Sequence, residues 1–146
     1  MSLIGDYDDQ NIFAKILRGE APCTKVFEDD VALAMMDLFP QTRGHTLVLP
    51  KSVRARNLLD LPREKVGPFM ERVQRVAVAV EKALQPDGLV VTQFNGAPAG
   101  QTVFHLHVHI LPRYEGVAMA GHGKTTMADK GELEAIAREI AGALGP

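Results

Sequence analysis

With 146 residues, 46% of them hydrophobic and 23% charged, the chain has the make-up of one soluble globular domain able to bury its own core. A formal net charge of −2 supplies no basic footprint for nucleic acid or an anionic membrane surface, and no apolar run approaches the length of a membrane span. A lone cysteine, Cys23, excludes an internal disulfide; with no leader-like pattern in Met1 to Asp6, the expected compartment is the cytoplasm.

Residues 1–10 read as a polar tail. Asn11 to Arg18 carries Ile12, Phe13, Ile16 and Leu17 at helical spacing, and Gly19 can end that short helix in a left-handed conformation. Lys25 to Glu28 and Val31 to Asp37 read as two strands around an Asp29-Asp30 turn. Asp37 closes the second of them, a place where a free carboxylate has little structural use. Gly44 to Pro50 reads as a third strand ended by its proline, and Ser52 to Leu59 as a brief helical turn. From Pro62 to Leu84 apolar residues follow the three-four rhythm of a long amphipathic helix. Its stripe from Val66 to Leu84 offers more apolar surface than one small sheet should need, which predicts a homodimer.

Leu89 to Phe94 and Phe104 to Leu111 read as the last two strands, joined by the turn-prone loop Asn95 to Gln101. Residues 113–128 are Gly-punctuated with little periodicity, the pattern of a mobile surface loop, and within them His122 reads as solvent-facing. Lys124 lies within plausible reach of a polyphosphate tail but is not counted as a site residue. Asp129 with Glu132 resembles a capping box opening a final helix over 129–145. Single runs of strand and helix in this order predict one α+β domain over 1–146, with helices covering an antiparallel sheet.

Within the last strand, Phe104-His105-Leu106-His107-Val108-His109-Ile110-Leu111 sets three of the five histidines at two-residue spacing. Strand side chains alternate, so the spacing places the imidazoles on one side and the aliphatics on the other. Burying three imidazoles means satisfying six ring nitrogens, a desolvation cost that points to a reaction centre rather than to packing. Just upstream, Asn95, Gly100, Gln101 and Thr102 form a loop whose backbone N–H groups and hydroxyl suit phosphate oxygens.

The combined pattern resembles the histidine triad (HIT) family of nucleotide hydrolases and transferases. The matching residues are Asn95-Gly96, Ala99 to Arg113, Asn11 to Glu20, Met36-Asp37 and Gly44 to Lys51, in the same order and spacing over roughly residues 11 to 113. The resemblance implies a HIT-like fold: a five-stranded antiparallel sheet, one long and several short helices, and a homodimer whose sheets join across the interface. It implies a purine nucleotide substrate, no cofactor, and attack on an α-phosphate by His107. His105 and His109 would orient the phosphate, His45 would complete the imidazole cluster, and Thr102 would bond the leaving group. Asp37 would hold the ribose, Asn95, Gly100, Gln101 and Val103 would line phosphate and sugar, and Ile12, Phe13 and Ile16 would meet the base.

One departure stands out. Relatives with a Cys-x-x-Cys in the first helix bind structural zinc with two histidines; here those positions are Asn11 and Ala14, leaving His45 and His105 as an incomplete pair, so no metal is expected. Two other readings remain open: a metal-dependent hydrolase using His-x-His with His122 or Glu115, and a nucleotide-binding adaptor without chemistry.

Overall fold

The computed structural model describes residues 2–122 and 125–145; Gly123 and Lys124, the latter considered above for a polyphosphate tail, lie outside the described residues. Among those described, helix α1 (Ile12–Leu17) opens on Asn11, whose side-chain oxygen accepts from the Ala14 N–H at 2.8 Å, and is followed by Gly19 at φ +81°. Strands β1 (Lys25–Glu28), β2 (Ala32–Met36) and β3 (Thr46–Pro50) follow, then helix α2 (Arg63–Leu84), strands β4 (Gly88–Thr92) and β5 (Val108–Arg113), and helix α3 (Lys130–Gly142). The strands form one antiparallel sheet in the order β1-β2-β3-β5-β4. No described helix is long and apolar enough to cross a membrane.

Side-chain parity divides the sheet into two unequal faces. Ala32, Ala34, Met36, Val48, Val108 and Ile110 point to the broad face, where they pack with Phe69, Val73, Val76 and Val80 of α2 and with Leu133, Ile136 and Ile140 of α3. Leu33, Met35, Leu47 and Leu49 point to the other, where a smaller cluster forms with Phe13 and Ile16 of α1. A six-residue helix cannot cover five strands, so the second face keeps an open hollow. His45, His107 and His109 share the odd parity of Leu47 and Leu49 and therefore face that hollow.

Several boundaries differ from the sequence reading. The histidine strand begins at Val108, not Phe104, because the preceding residues bond elsewhere: Leu106 N–H donates to Ala55 O at 2.8 Å and the His105 carbonyl accepts from the His107 ring. It also continues through Pro112, which was expected to end it. The turn expected over Ser52 to Leu59 is a 3-10 turn at Leu58–Asp60, capped by Asn57. Most of the α2 stripe is consumed by its own protomer: Phe69, Val73, Val76, Ala79 and Val80 are buried in the core, leaving Val66, Met70 and Val78 exposed. The stripe expected to drive dimerisation is thus mostly spent within one protomer.

The described part of the polar tail folds back along the domain, where Arg56 bonds the carbonyls of Ser2 and Asp6 and Asn57 bonds that of Leu3. Arg113, expected to open the loop, is the last residue of β5; beyond it the described residues up to 128 contain no helix or strand, but they are tethered. Ala120 N–H donates to Gln41 O and Gln41 Nε2 donates to Ala120 O, both at 2.9 Å, while Thr125 Oγ1 donates to Phe39 O at 2.7 Å.

Candidate functional site

The hollow on the α1 face is a cavity of about 470 Å³ whose lining includes Ile12, Phe13, Ile16, Asp37, His45, Thr102, Val103, His107 and His109. All nine had been singled out from the sequence. A somewhat larger cavity, about 550 Å³, lies between the start of β1 and α3 beside Cys23, Lys25, Leu133 and Arg138. It holds no imidazole, so chemistry belongs to the smaller one.

Register explains how the rings meet. Leu47 of β3 pairs with His109 of β5, which makes His45, two residues before Leu47, the diagonal same-face neighbour of His109. The chain enters β3 through Gly44, held at φ +90° with the Leu84 side chain packed where a Cβ would stand, so only glycine fits ahead of His45. Ring centroids are 5.2 Å apart for His45 and His109 and 4.9 Å for His107 and His109. Phe13 meets His107 edge to face at 4.8 Å.

Backbone contacts decide which nitrogen of each ring bears its proton. The His105 carbonyl can only accept, so the 2.7 Å contact is donated by His107 Nδ1–H; the neutral ring then has a bare Nε2. His45 is set the other way round. The Gln41 N–H donates to His45 Nδ1 at 3.1 Å, so the proton of neutral His45 sits on Nε2 and is donated to His109 Nδ1 at 2.9 Å. His109 in turn must carry its proton on Nε2, a buried atom with no partner among the described residues. Adjacent rings therefore offer opposite functions, a lone pair from His107 and a donor from His109.

Burial keeps these rings uncharged. Desolvation, reinforced by the neighbouring imidazoles, lowers His45 to about 4 and His109 to about 2, and His107 is lowered too, again chiefly by burial. Asp37 shifts the opposite way, its carboxyl pushed up by burial against the bond its Oδ1 accepts from Phe39 N–H at 2.8 Å. Its Oδ2 lies 3.4 Å from His45 Nε2. With His45 neutral, that contact is a carboxyl group beside an imidazole N–H rather than an ion pair.

Four residues expected in the site are placed elsewhere. His105 turns its ring away, its Nε2–H donating to Pro50 O at 3.0 Å and its Nδ1 accepting from the Tyr7 hydroxyl at 2.6 Å. Its contribution to the cavity is its carbonyl. Gln101, 3% exposed, braces the loop by donating to Arg56 O and Val103 O and accepting from Gly96 N–H. Asn95 Oδ1 accepts from Leu58 N–H and from Gln93. Gly100, at φ +112°, lets the loop turn against the Phe94 ring. These three shape the segment that presents Thr102 and Val103. His45 and His105, paired above as leftover zinc ligands, stand at opposite ends of β3, on the order of 13 Å of strand apart, and Asn11 caps α1 instead.

His122, read above as solvent-facing, lines the cavity together with Phe39, Gln41 and Thr125. A histidine between glycines offers no periodic signal, and Gln41 acts on His45 through its backbone, which any residue type possesses. Glu115 is remote, its N–H bonded to Asp87 and its side chain beside a separate surface hollow. One donor atom each from Asp37, His45 and His109 lies within 4.8 Å of the other two, a spacing that can also surround a metal ion, provided the His45–His109 hydrogen bond opens.

The family model for the HIT domain matches residues 18–116, more than half of the chain and all of the cavity-forming strands. The chain belongs to the HIT domain family. Among the family's members, the protein hit of Bacillus subtilis is 42% identical over 103 residues, covering 70% of each chain. The adenylylsulfatase HINT3 of Arabidopsis thaliana is 40% identical over 104 residues, which cover 71% of this chain but about half, 52%, of that relative. The crystal structure of a Hit-like protein involved in cell-cycle regulation from Bartonella henselae superposes with a TM-score of 0.89 at 47% identity, covering 96% of this chain and 100% of that one. The five-stranded antiparallel sheet with its helices is the HIT-like α+β fold, and the chain is thereby one of a family of nucleotide-binding hydrolases and transferases.

Neutral burial of the imidazoles has a measurable consequence. Below about pH 6.5 an unfolded chain protonates its histidines while the folded protein does not, so each depressed group favours unfolding by about 1.4 kcal/mol per pH unit until its folded value is reached. Stability is expected to be level above neutrality and to fall as pH drops from about 6.5 toward 4, as read by urea unfolding at a series of pH values. His109→Gln should make the slope shallower. Flat stability across that interval would contradict the burial of neutral rings.

Proposed function

We propose that this protein is a nucleotide hydrolase that cleaves at the α-phosphate of a nucleoside 5′-monophosphate derivative through a covalent nucleotidyl-His107. The observation that carries the reading is the pair of opposed tautomers, His107 with a bare Nε2 and His109 with a free Nε2–H, on one wall of a nucleotide-sized cavity. The His107 lone pair attacks phosphorus, the bond to the leaving group breaks with its electron pair going to that group, and His109 donates to a non-bridging oxygen. Water then attacks phosphorus, the P–Nε2 bond breaks with its electron pair returning to His107, and the proton shed by water passes to solvent as the nucleoside monophosphate leaves. Two in-line displacements retain configuration at phosphorus.

The base fits the apolar end formed by Ile12, Phe13 and Ile16, the ribose hydroxyls reach Asp37, and the Thr102 hydroxyl serves the leaving group. That group is a nucleoside polyphosphate or the amine of a phosphoramidate. The Arabidopsis relative is named an adenylylsulfatase, in keeping with a substrate that carries an adenylyl group.

His107→Ala is expected to lower turnover of an adenosine phosphoramidate or diadenosine polyphosphate by several orders of magnitude while nucleotide binding persists. Rapid quench into alkaline denaturant, which preserves the acid-labile P–N bond, followed by intact-mass analysis should detect the adenylylated wild type, including after exhaustive chelation, and no adduct on the variant. Loss of wild-type turnover on chelation, restored by zinc, would instead favour a metal held by Asp37, His45 and His109.

Asp37 predicts a preference for ribose. A carboxylate accepting from both sugar hydroxyls is left partly desolvated by a 2′-deoxyribose, so kcat/KM for a deoxyadenosine substrate should fall roughly tenfold or more. Apolar contacts alone at the base leave adenine and guanine within about tenfold of each other. Equal kcat/KM for ribose and deoxyribose would remove Asp37 from the sugar site.

We further propose a homodimer that pairs β4 edges to join the two sheets. β4 is one edge of the sheet and exposes Val90 and Val91, beside exposed Val66, Met70 and Val78 of α2; an apolar edge strand of this kind invites pairing. Sedimentation equilibrium should return twice the 15.9 kDa chain mass, and Val91→Lys should shift the mass toward one chain. A monomer at micromolar concentration would refute the pairing.

A further inference from the structure

The cavity has to receive a phosphate, yet no lysine or arginine lines it among the described residues. Its imidazoles at positions 45, 107 and 109 are engaged with one another and with the backbone, and of these only His109 has a donor to spare. A tetrahedral phosphate presents several oxygens, more than a single imidazole donor can serve. The additional ring in the wall is His122.

His122 is fixed rather than adrift. Its ring meets His109 edge to face at 5.6 Å and Phe94 at 5.2 Å, while Phe94 and His109 are themselves 5.3 Å apart, so the three rings form one closed cluster. On either side of it the chain is tied to the segment that carries Asp37 and the Gln41 amide, through Ala120 to Gln41 and through Thr125 to Phe39. Inside this cluster two buried nitrogens have no hydrogen-bond partner among the described residues, His109 Nε2 and His122 Nε2. His109 is 2% exposed. Buried polar atoms of folded proteins are paired almost without exception, so two unpaired nitrogens on touching rings in the wall of one cavity call for a shared acceptor.

We propose that His122 is a phosphate ligand: His109 and His122 together form a two-point donor site for the non-bridging oxygens of the bound nucleotide, beside His107. The assignment rests on the nucleotide reading above and adds to it a residue from the loop after β5. Cradling of this kind binds an oxyanion through imidazole N–H groups and makes the loop part of the cavity. It also separates recognition of the phosphate, by His109 and His122, from attack on phosphorus, by His107.

The test compares a ligand that has the phosphate with one that lacks it, using the full chain and isothermal titration. His122→Ala should weaken binding of 5′-AMP roughly tenfold, a loss of the size expected for one hydrogen bond to a charged group, and leave adenosine within about twofold of the wild type. His122→Gln, which returns an N–H near the position of Nε2, should recover most of the AMP affinity. Equal losses for AMP and adenosine would show that the ring merely shapes the cavity, and unchanged AMP binding would show that it does not touch the phosphate; either overturns the assignment. A wild type that binds neither ligand would overturn the nucleotide reading itself, and this assignment with it.

Discussion

The bond from His107 Nδ1–H to the carbonyl of His105 is the constraint around which the site is arranged. A neutral imidazole has one proton and two nitrogens, and fixing the proton on one fixes the lone pair on the other. That bond requires the backbone at His105 to stay out of the sheet ladder, which is why β5 starts only at Val108. His105 itself is immobilised from both sides, by Pro50 O on Nε2 and by the Tyr7 hydroxyl on Nδ1. The first histidine of the row thus works through its peptide group while its ring anchors that peptide.

The second chain of bonds runs in the opposite sense. A backbone N–H at Gln41, not a carbonyl, meets His45, and the inversion propagates through His45 to His109. One wall consequently holds a bare lone pair and a donor made of the same residue type, distinguished only by whether a peptide C=O or a peptide N–H stands behind it. Burial reinforces the arrangement, because desolvation and mutual repulsion disfavour charging any of these rings.

The unequal covering of the sheet makes room for this chemistry. Two helices pack the broad face into the main core, whereas the short α1 covers only a corner of the other, and the residue parity of β3 and β5 sends the imidazoles to the under-covered side. The loop after β5 supplies the remaining wall, held against the 37–41 segment by bonds from Ala120 and Thr125. Stability of the fold and access to the site are therefore assigned to opposite faces of one sheet.

The amino-acid sequence alone determined the parity of the strands, the long helix, the cap at Asp129, and the histidine row with Asp37 and the α1 apolar residues as its companions. Those features are local: spacing of two or three to four residues and the chemistry of single side chains. Only the tertiary structure decided which ring nitrogens carry protons, that His105 faces away from the cavity, that Asn95 and Gln101 brace a loop, and that His122 joins the site. The physical reason is common to all four. Each depends on which distant backbone or side-chain group comes to stand beside the residue, as Gln41 does for His45 and Phe94 for His122, and those meetings are created by packing between segments, not by the order of residues within them.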